Sequence, residues 1–448
     1  MSAITRVKYA IIGNSVGGIA AAEAIREIDT TGSIAIISDE PYQVYSRPLI
    51  SEYLAKPGPI DNLLYRETDF YKNHKIRLLA GEKVVHIDPE KHRVTLESGQ
   101  RLAYQKLLIA TGGTPIVPQM GGVDLKGVFT FNRLDDAKAI DDFLNSRPTD
   151  VKAVVIGGGL IGVSVTEALV RRGAEVTIIE MQDRILSLML DEETSAMEAE
   201  ALVQAGVRII TGHIAENINS NLPGEVSSVS LDDGRVIYGD LVILAIGVRP
   251  RLEAITGSGI NVNRGIIVDR HMATSVPDIY ACGDVAEGYD FIYGENRLTP
   301  IWPNAYLGGR TAGLNMADEE AEYQGGTAMN ALKYFGVHIV SAGMVTPPDD
   351  KFETISYRQN GNYRKVILKG RKLTGLVFAG DIEKSGIVYN LMKNGVDVSG
   401  FKKSLVADEF GLAYLPSKIR QEVLSVSGSL KETGITHVEE SEELPIGD

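Results

Sequence analysis

Apolar and polar positions along the chain fall into one arrangement that occurs twice. A continuous apolar run, Val7–Ile12, breaks into closely spaced glycines. It then enters an Ala-rich stretch over Gly17–Ile28 and ends in a second apolar run, Ile34–Ser38. The same order returns over Val151–Ile156, Leu160–Arg172 and Glu175–Ile179. Uninterrupted apolar runs of this length predict parallel strands buried on both faces, and the stretches between them read as helices. Each copy is therefore predicted as strand, tight turn, helix, strand. The first glycines, Gly13 and Gly157, are separated by the length of a domain, so this is a domain-scale duplication and not a short-period repeat.

The segments between and after the copies have their own patterns. Val84–Ile87 and Arg93–Leu96 alternate and predict a small antiparallel insertion. Lys106–Ile109 is a buried strand running into a Gly/Pro-rich exit, Ala110-Thr111-Gly112-Gly-Thr-Pro115. Its counterpart is Asp240-Leu-Val-Ile-Leu-Ala245-Ile-Gly247-Val-Arg-Pro250. Beyond residue 325, Thr354–Arg358, Tyr363–Leu368 and Leu373–Ala379 predict an antiparallel sheet, followed by helices over Gly386–Asn394 and Phe401–Ala407. The last stretch, 427–448, is polar and acidic, with Glu439, Glu440, Glu442 and Glu443. It predicts a disordered or partner-wrapped tail. The fold class expected is α/β: two Rossmann-like dinucleotide-binding domains plus a smaller α+β C-terminal domain.

Composition narrows the chemistry. A chain of 448 residues has room for two or three domains. A net charge of −14 argues against nucleic acid or an anionic membrane surface as partner. Cys282 is the single cysteine, which excludes an intramolecular disulfide, an iron–sulfur cluster or a thiolate zinc site. The seven histidines show no metal-ligand spacing, so no metal is expected. No basic-then-apolar leader opens the chain, and no apolar run nears the ~20 residues of a membrane span, so a cytoplasmic protein is expected.

Glycines after a strand and before a helix let the backbone approach a pyrophosphate, and the helix N-terminus offers it free N–H groups. In the first copy Gly13 makes the turn, Gly17 and Gly18 open the helix, and Ser15 takes the place of the middle glycine with a hydroxyl able to donate to a phosphate. Asp39, at the end of the second strand, could accept both ribose hydroxyls of an adenosine; Glu40 competes for that role. In the second copy Gly157, Gly159 and Gly162 are all present, with Leu160 and Ile161 opening the helix. Glu180 stands where it would repel the extra phosphate of NADP, which favours NAD(H); Arg184 is a mild counter-signal. Later, Ile279-Tyr-Ala-Cys-Gly283-Asp284 carries an aspartate at a strand end that could bind a polyhydroxy chain.

Together these residues resemble the FAD-dependent pyridine nucleotide–disulfide oxidoreductase superfamily. Within it they resemble the thiol-free branch, which includes NADH:rubredoxin oxidoreductases, oxygenase ferredoxin reductases and nitrite reductase flavin domains. The resemblance covers residues 6–320 strongly and 326–425 weakly. It implies an FAD domain of 1–115 plus 250–325, an NAD domain of 116–249 and a C-terminal interface domain of 326–426. Gly13, Ser15, Gly17, Gly18 and Asp39 would hold the ADP half of FAD. The Tyr45-Ser-Arg47-Pro48 stretch would lie beside the flavin, with Arg47 reaching its phosphates or adenine, and Val84 would also face the cofactor. Ala110-Thr111-Gly112 would be the hinge into the NAD domain. Gly283 and Asp284 would meet the ribityl chain, and a helix near Asn304–Ala317, including Ala305, would aim its N-terminus at the flavin pyrimidine. Gly157, Gly159, Leu160, Ile161, Gly162, Glu180, Ala245 and Gly247 would hold NADH.

Three departures from that pattern stand out. Residues 40–60 contain no redox cysteine, and Cys282 reads as packing. Ser51-Glu52 replaces the usual Ser-Lys, and Ser164 takes the place of the family's acid, with Glu167 nearby. The expected function is an FAD-dependent NAD(H) oxidoreductase whose catalysis is flavin-based, with no catalytic side chain. Its electrons would pass to an iron–sulfur or rubredoxin-like protein, or the chain would be the NAD-facing subunit of a larger redox complex. An oligomer or hetero-complex is expected, with the C-terminal domain and acidic tail as docking parts. Two alternatives stay open: an NADH oxidase reducing oxygen, and a non-catalytic flavin redox sensor.

Overall fold

A computed structural model describes residues 5–147, 150–221 and 224–421; the acidic tail expected at 427–448 lies outside the described residues. The chain divides into two compact units, Met1–Thr346 and Pro347–Asp448.

The strands and helices that build the first unit's two main sheets are, in chain order, β1 (Tyr9–Ile12), α1 (Val16–Ile28), β2 (Ile34–Ser38), β3 (Ile76–Ala80), β4 (Lys106–Ile109) and β5 (Val128–Thr130). Next come α2 (Leu134–Asn145), β6 (Lys152–Ile156), α3 (Leu160–Arg171), β7 (Glu175–Glu180), α4 (Glu192–Gln204), β8 (Arg208–Thr211) and β9 (Leu241–Leu244). The set ends with β10 (Ile279–Ala281) and α5 (Trp302–Met316); β11 (Met329–Tyr334) and β12 (Val337–Gly343) follow and belong to neither sheet.

The first sheet runs β10-β4-β1-β2-β3 and the second β5-β9-β6-β7-β8. All pairings in both are parallel. The duplication therefore extends beyond the strand–turn–helix–strand copies to whole sheets. Their central strands are almost wholly buried and apolar, as sheets covered on both faces require. Strand order reverses beside β1 and beside β6, and both glycine turns leave their sheets there. In α/β sheets that switch point is where ligands bind.

The second sheet is inserted into the first. The chain leaves through Gly113–Pro115 and returns through Val248–Pro250, and these two segments pair antiparallel as a ribbon. Each module also carries an antiparallel addition. The one at Val84–Asp88, Arg93–Leu96 and Arg101–Ala103 extends the predicted insertion by a strand. The one at Ala215–Asn219, Ser228–Leu231 and Val236–Tyr238 was not read from the sequence.

Helices α1 and α5 lie unusually close. A Cβ on Gly309 would collide with the Gly17 carbonyl, and one on Gly313 with the Ala21 carbonyl, so only glycine permits the approach. This contact brings the N-terminus of α5 to the glycine turn of the first module. Strands β11 and β12 form an antiparallel hairpin.

In the second unit, Phe352–Gln359, Asn362–Lys369 and Lys372–Ala379 pair antiparallel, followed by a helix over Ser385–Lys393. The helix expected over Phe401–Ala407 is instead a short 3-10 turn, Lys402–Val406. Tertiary bonds decide this. The buried Arg364 guanidinium donates to the Ala407 carbonyl at 2.8 Å and to Asp408 at 2.9 Å, which holds the chain out of a helical path. Among the described residues no helix is long and apolar enough to cross a membrane.

Candidate cofactor site

The two glycine turns are equivalent residue by residue. Gly13 N–H donates to the Ile37 carbonyl at 2.9 Å, and Gly157 N–H to the Ile179 carbonyl at 2.8 Å. Both adopt positive φ, 122° and 110°, and a Cβ on either would strike the carbonyl of the neighbouring strand's exit, Ala110 or Ala245. Gly18 and Gly162 are required for another reason. A Cβ there would meet the carbonyl of Gly13 or Gly157, so they let each helix close on its own turn.

Ser15 and Gly159 occupy matching N-cap positions. The Ser15 side chain makes no capping hydrogen bond, and a Cβ on Gly159 would meet nothing within 4 Å. Each helix N-terminus thus faces open space with its first N–H groups free to receive an anion.

A cavity of about 520 Å³ runs from the first turn toward the second module. Of the residues expected from the sequence, Gly13, Ser15, Gly17, Asp39, Glu40, Arg47, Pro48, Val84, Ala110, Thr111 and Gly112 line it. So do Leu160, Ile161, Gly283, Asp284 and Ala305. Gly18, Gly157, Gly159, Gly162, Glu180, Ala245 and Gly247 do not. Gly18 packs α1 onto the first turn, and the others shape the second turn, from which only the first turns of α3 reach the cavity.

The carboxylates have distinct surroundings. Asp39 accepts from Arg133 at 3.0 Å and Arg251 at 2.8 Å. Its partial burial would raise its pKa, but Arg251 and Arg133 outweigh that and hold it down to about 2. Glu40, the competing acid, is buried. It accepts from the Tyr45 hydroxyl at 2.5 Å and from Arg47. Arg47 also donates to the Asn132 carbonyl at 3.0 Å, so the guanidinium expected on phosphate or adenine already has two protein partners. Burial pushes the Asp284 carboxyl up, and Arg47 partly opposes this. Glu180 accepts from the backbone N–H groups of Gly158 at 2.6 Å and Gln182 at 2.8 Å, which fixes its carboxylate at the end of β7. Cys282 is fully buried. Burial and then Asp284 push its thiol up to about 12, which agrees with a packing role. Glu52, the residue in place of the usual lysine, pairs with Arg171 of α3 at 2.9 Å on the exposed surface.

Sequence reasoning missed Arg133, Arg251 and the hairpin residues Met329, Asn330, Ala331, Leu332 and Tyr334, which also line the cavity. Arg251 directly follows the Val248-Arg-Pro250 exit and could have been found there; the hairpin residues carry no local signal. The fold also brings His213 within 3.0 Å of Asp232 and 3.5 Å of Asp233, but Arg235 sits on Asp233 at 2.5 Å and already supplies positive charge.

Residues 7–309 match the pyridine nucleotide-disulphide oxidoreductase family, and residues 329–396 match the rubredoxin NAD+ reductase C-terminal domain. The chain belongs to the pyridine nucleotide-disulphide oxidoreductase family. It is similar to the epsilon subunit of an NADH-dependent phenylglyoxylate dehydrogenase from Aromatoleum evansii, at 29% identity over 94% of this chain and 98% of that one. It is also similar to an NADH-rubredoxin oxidoreductase from Clostridium acetobutylicum, at 32% identity over 84% and 91%. Among solved structures it is similar to a ferredoxin reductase of the CYP199A2 system from Rhodopseudomonas palustris. The TM-score is 0.80 and the identity 25%, over 87% of this chain and 96% of that one.

As a member of this family the chain is a flavin-dependent NAD(P)H oxidoreductase with FAD and NAD(H) as its cofactors. The residues present fit both groups. Two glycine cradles have their phosphate-facing positions open, and one elongated cavity connects the first cradle to the helix of the second.

Proposed function

We propose that the chain is an NADH-dependent flavoprotein reductase of the cytoplasm that delivers electrons to an iron–sulfur or rubredoxin-like protein. It does so free or as the NAD-facing subunit of a larger redox complex. The observation that carries this is the shared cavity. It joins the flavin-side residues Ser15 and Asp284 to Leu160, Ile161 and Ser164 of the second module, while the only cysteine is buried and strongly protonated. The subunit form is favoured by the epsilon-subunit relative, which matches almost the whole length of this chain.

Bound FAD would supply the redox chemistry: hydride uptake from NADH and release of electrons singly or in pairs. The protein's part is placement. Gly13, Ser15 and the N-terminus of α1 hold the pyrophosphate, Asp39 the adenosine ribose, and Asp284 the ribityl chain. The N-terminus of α5, which lines the cavity, would face the flavin ring, where its dipole would favour negative charge. Gly157, Gly159, Gly162 and Glu180 hold the dinucleotide, and the Glu180 carboxylate disfavours a 2′-phosphate. The corresponding domains are 1–115 with 250–325 for FAD, 116–249 for NAD and 326–426 as the interface domain.

The test is anaerobic stopped-flow spectroscopy of the purified chain. NADH should bleach a yellow protein, and NADPH should lag at least tenfold. A rubredoxin or small ferredoxin should then reoxidise it at least ten times faster than air-saturated buffer. A colourless protein sinks the flavin reading. Reoxidation by oxygen as fast as by the iron–sulfur protein supports an oxidase instead.

A further inference from the structure

Where the second module reaches the cavity, the wall is built by α3 and β11. Leu160 and Ile161 of α3 and Met329 and Leu332 of β11 make it largely apolar. Three polar side chains share this wall: Ser164, Asn330 and Tyr334. Asn330 donates to the Ser341 hydroxyl across the hairpin, at 3.4 Å. Ser164 and Tyr334 both line this wall, with the serine hydroxyl near enough to the phenol to oppose the rise that burial causes in its pKa. The residue after Tyr334 is tied to the same helix one turn further on, where Phe335 N–H donates to Glu167 at 3.1 Å. This bond ties the end of β11 to α3 beside Tyr334.

We propose that Tyr334 is a positioning residue for the nicotinamide end of the bound dinucleotide, its hydroxyl standing with Ser164 in the cavity wall and turned to the ring's carboxamide. This rests on the NADH reading above. A carboxamide carries one acceptor and two donors, and against an apolar wall it would lose its water partners without replacement. The Ser164–Tyr334 pair offers both a donor and an acceptor. Burial raises the phenol's pKa, with Ser164 opposing, so it remains a neutral O–H group. A neutral pair adds no charge that would favour the cationic oxidised ring over the reduced one. The hairpin thus adds its own polar groups to the one, Ser164, that the glycine module supplies.

The test compares two ligands on the flavin-loaded protein by calorimetry: NAD+, and ADP-ribose, which lacks the nicotinamide. Tyr334→Phe should weaken NAD+ about fivefold or more, the size of one lost neutral hydrogen bond, and leave ADP-ribose within twofold. Ser164→Ala should move NAD+ the same way by a smaller factor. Flavin content and the visible spectrum should not change. Equal weakening of both ligands would show a merely structural tyrosine and overturn the proposal, as would no weakening of either. A wild-type protein that fails to bind NAD+ at all would instead refute the NADH reading itself.

Discussion

Glu198, on α4, has no solvent exposure and no hydrogen-bond partner for either carboxylate oxygen. Burial, with Glu167 adding repulsion, pushes its pKa up to about 8 from an ordinary 4.5. Between those two values the folded chain keeps a proton that the unfolded chain has released. Stability therefore falls as pH rises through that window, and below it no penalty exists. Glu198→Gln, which is neutral at every pH, should match wild type near pH 5. It should exceed wild type by on the order of 3 kcal/mol near pH 9 in denaturant unfolding. A constant difference across that range would mean that Glu198 is ionised in the fold. Nothing in the sequence marks this residue. It sits in a helix among other acids, and only the packing of α4 takes water from it. By contrast Gly13, Gly157, Asp39 and Glu180 were legible, because a turn forced by sterics and a strand-end acid are local features.

At the scale of elements, what the sequence revealed follows the same division. The strand–turn–helix–strand copies were readable because buried parallel strands are continuous apolar runs and the glycines punctuate them. The α1–α5 contact was not, since the glycines of α5 look like weak helix formers until α1 is laid against them. Gly309→Val would drive a side chain into the Gly17 carbonyl. It should cost about 3 kcal/mol or more, lower the melting temperature and release flavin, measured by fluorescence of the freed cofactor. A stable variant that keeps its flavin would show that the two helices can separate cheaply. The turn at Lys402–Val406 fails as a predicted helix for the converse reason. Its pattern permits a helix, but the Arg364 guanidinium claims the carbonyl at its end.

At the scale of the first unit, Asp39 joins the two modules. It belongs to the first module's second strand end, while Arg133 lies at the start of α2 and Arg251 on the returning side of the Gly113–Pro115/Val248–Pro250 ribbon. Its pKa is depressed, so its contribution is present above the ordinary carboxylate value near 3.8 and is lost as pH falls through about 2. Asp39→Asn leaves two guanidinium groups facing each other. It should cost about 1–3 kcal/mol near neutral pH and make the ribbon more sensitive to protease. The deficit should shrink toward pH 2. An unchanged melting temperature and cleavage rate would remove Asp39 as a clamp.

The sequence by itself determined that the glycine-punctuated strand–turn–helix–strand module occurs twice, that an acidic residue stands at the end of each copy's second strand, and that residues 40–60 hold no cysteine. Each of these is a short-range property of glycine, carboxylate or cysteine at a particular place in the chain. Tertiary structure alone decided which of those residues share a cavity, which acids are already held by arginines, and that a hairpin some 170 residues after Ser164 supplies a tyrosine to the same wall. Such pairings depend on how sheets and helices close in space, and nothing in the local order of apolar and polar residues encodes them.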